Sequence, residues 1–357
     1  MTCRRGRPLN HPVTPTERTR HSYDVRPYPQ GDLKALIKDG GSLPPLKWMQ
    51  AIGRPGEMEP KRILVAGCGL GVEAFVLRRQ FPEAEIVAVD FSPRSIAEAK
   101  RLQQRAGKAR PIRFSVADLT DPELPKMTGG EFDLITCHGV LSYIPEPERV
   151  LRNLARSLRP DGVLYLGVNG AAHPSARLRP WLEGFGLDVN EMRNEPRLRE
   201  LLGLWDSLRT DGTGPLAGKS ASYLAGDVCG PQFNNWPLSR WVREAASEGW
   251  ETVGAWLLPL ALRLTMEGDH QQQLYPSGVS EVAVRIDEAR PAGFHRILLR
   301  RSNGKAAGSG WLRWTGLYTV RVKNGESRST KRVLLTSKTL GLSAEFQLKT
   351  TDRKSVV

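Results

Sequence analysis

A chain of 357 residues with 39% hydrophobic side chains can bury a sizeable core, enough for one large domain with additions or for two domains. No apolar run approaches the roughly 18–20 residues of a membrane helix, and the basic start Met1-Thr2-Cys3-Arg4-Arg5 leads into prolines, so no membrane span or secretion signal is expected and a cytoplasmic location is the default. The formal net charge of +14 sits at the two ends: residues 1–50 carry +5, residues 51–289 carry −3 and residues 290–357 carry +12, which suggests a near-neutral core with a tail suited to polyanions or to a solvated surface.

Residues 1–22 are rich in Arg, Pro, Thr and His without apolar periodicity, and read as a disordered or flexible basic arm. Residues 23–60 form a cap segment ahead of the core. Within it Tyr23-Asp24-Val25-Arg26-Pro27-Tyr28-Pro29 reads as extended and stiff, because proline fixes its own φ and biases its predecessor away from helix. Such a strap suits the mouth of a pocket, or simple packing. The four cysteines, Cys3, Cys68, Cys137 and Cys229, have no short-spaced pair, so neither a metal site nor disulfides are expected.

From residue 61 onward apolar strands alternate with helices. Ile63-Leu64-Val65-Ala66 breaks into Gly67-Cys68-Gly69-Leu70-Gly71, then helical spacing follows over 72–79. Glycines there permit positive φ and let a ligand approach amides at a helix N-terminus. The dinucleotide fingerprint needs a third glycine where this chain has Val72, so that pattern fails by one residue. Further strands are predicted over 86–90, 112–118, 132–137 and 163–169. Helices are predicted from Ser92-Pro93 to about 107, with Ser92 as N-cap, and over 146–158, followed by a turn at Arg159-Pro160-Asp161-Gly162. This order implies an α/β, doubly wound, mostly parallel sheet covered on both faces.

After Asn169 the text becomes charged and helical, with substrate-side helices over 171–250 that include a loop at Gln232–Pro237 and a helix over about 238–248. The segments 251–302 supply closing strands, which puts the whole α/β domain at 61–302 around a core at 61–170. Residues 303–310 read as a linker, and 303–357 as a small basic β-rich extension.

In an open parallel sheet ligands bind beyond the carboxyl ends of the strands. The glycine turn, Asp90, Asp118 and His138-Gly139 fall at four successive strand ends. An acid after the second strand can accept from a ribose diol, and one after the third from an exocyclic amine; either can equally be a helix cap.

At these residues the chain resembles the class I S-adenosylmethionine-dependent methyltransferases. The resemblance is carried by Val65-Ala66-Gly67-Cys68-Gly69-Leu70-Gly71, Val89-Asp90-Phe91-Ser92, Ala117-Asp118-Leu119, Phe132-Asp133-Leu134-Ile135, Gly139-Val140-Leu141-Ser142-Tyr143-Ile144 and Leu158-Arg159-Pro160-Asp161-Gly162, in the family's order over about 60–170. The Tyr-Asp and Pro-Tyr-Pro words before the core look most like a bacterial subgroup. The resemblance implies a Rossmann-like fold with a seven-stranded sheet and S-adenosyl-L-methionine as cofactor. It implies that Gly67, Gly69 and Gly71 wrap the methionine part, that Asp90 holds the ribose, that Asp118 and Leu119 bind adenine, and that His138 and Gly139 line the methyl-donor side, with Ala66, Cys68, Phe91 and Ser92 adding contacts. Val65 stands where many members carry an acid, which removes one anchor for the cofactor's amino group.

Methyl transfer from a sulfonium needs positioning more than it needs a base. His138 is the candidate base by position, with packing or cofactor contact as its alternative role. Tyr23, Tyr28, Tyr143, Asn169 and Trp236 are expected nearest the acceptor, which no motif identifies as small molecule, protein or RNA, or as an oxygen, nitrogen or carbon acceptor. Two other readings stand beside the methyltransferase: a nicotinamide-dependent oxidoreductase, disfavoured by Val72, and a nucleic-acid-binding module in which Trp311, Trp314 and Tyr318 interleave with Arg313, Arg321 and Lys323.

Overall fold

The computed structural model describes residues 14–29, 32–38, 60–105, 110–187, 195–208, 215–230, 232–255, 284–285 and 287–302, with the backbone of 319–324, 330–337 and 342–349. The linker at 303–310 and the aromatic residues Trp311, Trp314 and Tyr318 lie outside them.

Seven strands form one sheet: β1 (Arg62–Ala66), β2 (Glu85–Asp90), β3 (Arg113–Val116), β4 (Phe132–His138), β5 (Leu158–Asn169), β6 (Trp250–Ala255) and β7 (Phe294–Arg301). Their order is β3-β2-β1-β4-β5-β7-β6. β1 through β5 pair in parallel, and β7 inserts antiparallel between β5 and β6. The order reverses between β1 and β4, which opens a crevice at the carboxyl ends of those two strands. A separate three-stranded antiparallel sheet, β8 (Thr319–Asn324), β9 (Thr330–Ser337) and β10 (Leu342–Lys349), accounts for the expected β-rich tail.

The helices are α1 (Pro15–Val25), α2 (Leu33–Lys38), α3 (Val72–Gln80), α4 (Pro93–Arg105), α5 (Leu124–Thr128), α6 (Pro147–Ser157), α7 (Pro174–Gly184), α8 (Glu195–Leu208) and α9 (Leu238–Ser247). Successive strand residues point to opposite faces. Leu64, Val87, Ile135 and Leu164 therefore pack against Val150 and Leu154 of α6 and Trp241 of α9. Ile63, Ile86, Leu134 and Tyr165 pack against Ala74 and Leu77 of α3 and Ile96 and Ala99 of α4. Both faces are covered, which is why the strands read as continuous apolar runs rather than as alternation. Leu178 and Leu182 of α7 and Leu198, Leu201 and Leu202 of α8 close a third cluster with Leu216, Leu224 and Val228.

Three local expectations are corrected. The basic arm expected over 1–22 is helical from Pro15, and the extended strap expected from Tyr23 begins only after Val25. Thr14 caps α1, its hydroxyl accepting from the Glu17 amide at 3.2 Å while the Glu17 carboxylate accepts from the Thr14 amide at 2.8 Å, with proline in the first helical turn. This capping box offsets the lack of apolar periodicity. The turn read at Arg159–Gly162 is a bulge inside β5: Leu158 pairs with Phe132 and Val163 with Leu134, so the four residues between them oppose Asp133 alone. Asp133 holds that irregularity by accepting from the amides of Lys61 and Arg62 at 2.9 and 2.8 Å and from Arg159 Nη1 at 2.9 Å. Within the span 171–250 read as substrate-side helices, Leu224–Val228 form a π-turn ahead of the Gln232–Pro237 loop.

Trp241 is fully buried and its Nε1–H donates to the Asn169 carbonyl at 2.9 Å, so it fixes the end of β5 as well as filling the core. Trp241→Ala is expected to cost about 3–5 kcal/mol, measured by urea unfolding followed by circular dichroism; a loss below about 1 kcal/mol would show that the α9 face is not part of the cooperative core.

Candidate active site

After β1 the chain turns through Gly67, Gly69 and Gly71 with φ of 75°, 50° and 85°, a region that disfavours side chains. The amides of Gly67 and Cys68 both donate to the Val89 carbonyl, at 2.8 and 2.9 Å, and the Gly69 amide donates to Asp90 Oδ2 at 2.9 Å. From the other side the Tyr28 carbonyl accepts from the Leu70 amide at 3.3 Å. A Cβ on Gly69 would lie 2.8 Å from that carbonyl, and one on Gly67 would lie 2.4 Å from a Val140 methyl. The loop is thus clamped between the end of β2 and the Tyr28-Pro29 strap, with no room for side chains at these two positions.

Asp90 is 8% exposed, and its second oxygen accepts from the Ser92 amide at 2.9 Å. Burial raises its carboxyl above the ordinary range, while the two amide bonds act in the opposite direction. A carboxylate has about four acceptor positions, so each oxygen retains capacity toward the cavity that Asp90 lines.

Helix α1 lies over the ends of β2 and β3. Ser92 Oγ donates to Asp24 Oδ1 at 2.6 Å, Arg94 Nη1 donates to the Asp24 carbonyl at 2.7 Å, and the Tyr23 ring meets Phe91 edge-on at 6.0 Å. Arg20 stands over Phe91 at 5.5 Å and 3.6 Å from Asp118 Oδ2. Both members of that ion pair are at least a third exposed, so it orients the helix more than it stabilises it. The other Asp118 oxygen accepts from the Thr120 amide and hydroxyl at 2.9 and 2.7 Å, so the local-cap alternative holds for one oxygen and leaves the other facing Arg20.

Together these elements enclose a cavity of about 630 Å³ at the switch point. Of the expected residues, Gly67, Cys68, Gly69, Asp90, Phe91, Asp118, Leu119, His138 and Gly139 line it, as do Tyr23, Tyr28, Tyr143 and Asn169. Four others do not. Ala66 is buried in β1. Gly71 is the left-handed N-cap of α3 and abuts Phe114 and Ala99. Ser92 is fully buried and accepts from the Ser95 amide at 3.1 Å as the cap of α4. Trp236 packs 4.5 Å from Trp241, with Arg240 3.7 Å over its ring.

His138 also differs from its expected chemistry. Its Nδ1 lies 2.8 Å from the Tyr165 hydroxyl, and the ring packs 5.1 Å from Phe294. Burial, helped by the Arg296 charge, lowers its pKa to about 4, so the imidazole is neutral at pH 7 but a weak base. That lowering favours the packing or contact alternative over the base.

Three charged-type lining residues were not singled out from the sequence: Glu73, Asp227 and Arg296. Glu73 sits in the first turn of α3, directly after the glycine loop, where an acid is an ordinary helix-dipole residue. Here it turns inward: its Oε1 is buried without a hydrogen-bond partner, as is Thr136 Oγ1. Burial raises the Glu73 carboxyl to about 7, and the Thr136 hydroxyl, near but outside hydrogen-bond geometry, offsets only part of this. Asp227 accepts from the Tyr143 hydroxyl, and burial raises it to about 6. No sequence motif marks it, since it lies in the π-turn. Among the described residues no cluster of His, Cys, Asp and Glu could hold a metal ion, and no helix is long and apolar enough to cross a membrane.

Residues 64–164 match the family model described as a methyltransferase domain. An uncharacterized protein of Synechococcus sp. is 35% identical over 190 residues, covering 52% of this chain and 44% of that one. A trans-aconitate 2-methyltransferase of Methylobacterium nodulans is 34% identical over 122 residues, covering 33% and 43%. The chain therefore spans less than half the length of these curated relatives. The solved structure of PKMT2 from Rickettsia typhi in complex with AdoHcy has a TM-score of 0.59 at 17% identity, covering 84% of this chain and 63% of that one, which is a likeness of fold.

Asp90→Ala leaves the Gly69 and Ser92 amides without their acceptor, at about 1–3 kcal/mol each, and is expected to lower unfolding free energy by roughly 2–4 kcal/mol; an unchanged denaturation midpoint would mean that the clamp is not needed. Glu73 binds its proton more tightly folded than unfolded. Its contribution is fully present below pH 4.5 and is lost as pH rises towards about 7. Cavity solvent reaches part of the side chain, so the loss is about 1–3 kcal/mol. Glu73→Gln is expected to remove that slope: without ligand, its Tm should fall less than that of the unsubstituted protein between pH 5 and pH 8. Parallel Tm curves would refute the buried-carboxyl assignment.

Proposed function

Because residues 64–164 match the family model of a methyltransferase domain, we propose that the chain is a class I S-adenosylmethionine-dependent methyltransferase, transferring a methyl group from S-adenosyl-L-methionine to an acceptor held in the same cavity. The observation that carries this reading is the cradle itself. Gly67 and Gly69 present backbone with no space for Cβ atoms, and the carboxylates of Glu73 on α3, Asp90 at the end of β2 and Asp118 just after β3 line the same cavity. When bound, the cofactor supplies an already activated methyl on a sulfonium; the chain has to bind it, orient it and exclude water.

The fit is good at both ends of such a ligand. Asp90 keeps acceptor capacity for a ribose diol beyond its two amide bonds. Asp118 and Leu119 stand beside it at the end of β3 for the adenine. For the amino-acid end, Glu73 takes the place of the acid that Val65 lacks. Its orphaned Oε1 is a ready acceptor for an ammonium group, whose charge would also relieve the cost of keeping the carboxylate ionised. Arg296, whose Nε is likewise buried without a hydrogen-bond partner, offers the complementary charge for a carboxylate. His138 and Gly139 form the wall on the methyl side. The α1 helix and the Tyr28-Pro29 strap cover the ligand, a role that fits their contacts to Asp118, Phe91 and the glycine loop.

Isothermal calorimetry with S-adenosylhomocysteine tests the reading. Binding is expected for the unsubstituted protein, weaker by at least about tenfold in Asp90→Ala and by about 10–100-fold in Glu73→Gln, as loss of a charge-assisted hydrogen bond implies. Absence of binding, or binding of a nicotinamide cofactor in its place, would overturn the proposal. Unchanged affinity in Glu73→Gln would return the amino-group anchor to another residue.

A further inference from the structure

The cavity has a second polar group besides the one that suits the cofactor. Asp227 reaches it from the π-turn Leu224–Val228, an element outside the segment 64–164. Tyr143 donates its hydroxyl to the Asp227 carboxylate, and that hydroxyl also interacts with the Asn169 side chain. Tyr23, Tyr28 and Tyr223 line the cavity as well, and the charge on Asp227 acts on Tyr23 and Tyr28. Burial pushes the hydroxyls of Tyr23, Tyr28 and Tyr143 well above their ordinary range, so all three remain protonated.

At Asn169 and Asp227 the free hydrogen-bonding capacity is for donors. Asn169 Nδ2 donates to Asn235 Oδ1 at 3.1 Å, and Asn235 Nδ2 donates in turn to Ser175 Oγ at 2.9 Å. That chain fixes the Asn169 amide with its Oδ1 buried and without a hydrogen-bond partner. Asp227 has acceptor positions beyond the one used by Tyr143. Among the described residues, Arg296 is the one arginine in the lining and acts on His138 and Tyr165, while Asp227 has Tyr143 as its interaction partner and no described cation that shifts it. A negatively charged acceptor placed here would meet Asp227 with nothing to offset the repulsion. A neutral hydroxyl would leave the carboxylate charge uncompensated. An ammonium group supplies both the charge and several N–H donors.

Resting on the methyl-transfer reading above, we infer that the acceptor is an aliphatic amine, bound as its ammonium form between Asp227, Tyr143 and Asn169. One N–H proton must leave before attack, and the Asp227 carboxylate is the group placed to receive it and pass it to solvent. The freed nitrogen lone pair then forms the C–N bond while the C–S bond of the donor breaks, its electron pair remaining on sulfur. The products are the methylated amine in its ammonium form, S-adenosylhomocysteine and one proton. Burial raises Asp227 to about 6, which makes it a better acceptor of that proton than an ordinary carboxylate.

The amine arises either as a free alkylamine or as a lysine side chain, and one experiment separates them. Tritiated S-adenosylmethionine is supplied with n-butylamine, with a short lysine-containing peptide, and with butyric acid and n-butanol as matched controls; cofactor binding is followed separately by calorimetry with S-adenosylhomocysteine. Label in either amine arm and in neither control is expected, with the arm that labels identifying the source. Asp227→Asn, which keeps the shape and an acceptor for Tyr143, is expected to lower kcat/KM for the amine by about 100-fold or more while S-adenosylhomocysteine binds within about twofold of the unsubstituted protein. Calorimetric binding of the unlabelled amine to the S-adenosylhomocysteine complex is expected to be lost in the same variant. Label only in the acid or alcohol arm, no label in either amine arm, or equal turnover in Asp227→Asn would overturn the amine assignment and leave the methyl-transfer reading standing. Failure to bind S-adenosylhomocysteine at all would refute that reading and the inference with it.

Discussion

One buried carboxylate ties the site to the sheet. Asp90 terminates β2 and accepts the amides of Gly69 and Ser92, so the loop after β1 and the start of α4 both take their position from it. The energetic logic is that of a buried charge: desolvation disfavours it, and it persists because amides that would otherwise be orphaned at two chain reversals point at it. Ser92 extends the same arrangement to Asp24 on α1, and Tyr28 holds the far side of the glycine loop. Remove that carboxylate and the roof, the loop and the helix start lose a common reference.

Around this anchor the cavity divides by charge. Among the described residues Glu73, Asp90, Asp118 and Asp227 all line it, against the single guanidinium of Arg296. His138 and His173 are held neutral by burial, each lowered to about 4, and contribute no positive charge near neutral pH. Such a lining suits cationic ligands, which is what a sulfonium cofactor and an ammonium acceptor both are. The same excess of acid costs the ligand-free protein, since Glu73 and Asp227 are both raised above their ordinary range and are harder to ionise folded than unfolded. Stability given up at a site in this way can be regained by a ligand that binds only the folded chain.

The strand–helix alternation from residue 61, the glycine turn and the acids at 90 and 118 were legible because each is a local signal. Apolar runs bounded by turn residues specify parallel strands buried on both faces, Ser92-Pro93 specifies a helix start, and three glycines at every second position specify a backbone that only glycine adopts freely. The helix at Pro15–Val25 also has a local signal, the capping box Thr14-Pro15-Thr16-Glu17, which the expectation of a disordered arm, resting on the lack of apolar periodicity, did not include.

What only the tertiary structure decided is which side chains share the cavity. Glu73 and Asp227 are 154 positions apart, and neither belongs to a motif; a solvated helix-turn acid and a loop acid look the same in sequence as these two buried ones. Trp236 and Ser92 were placed at the site by their neighbours in sequence, yet packing against Trp241 and capping of α4 take them out of it. His138 kept its position but lost its basicity, because burial beside Arg296 sets its pKa rather than residue type. The sequence by itself determined the scaffold and the cofactor cradle, which depend on backbone conformation and short-range pattern. Burial and the meeting of distant elements determined the charge states and which carboxylates share the cavity, and those depend on the dielectric surroundings that folding creates.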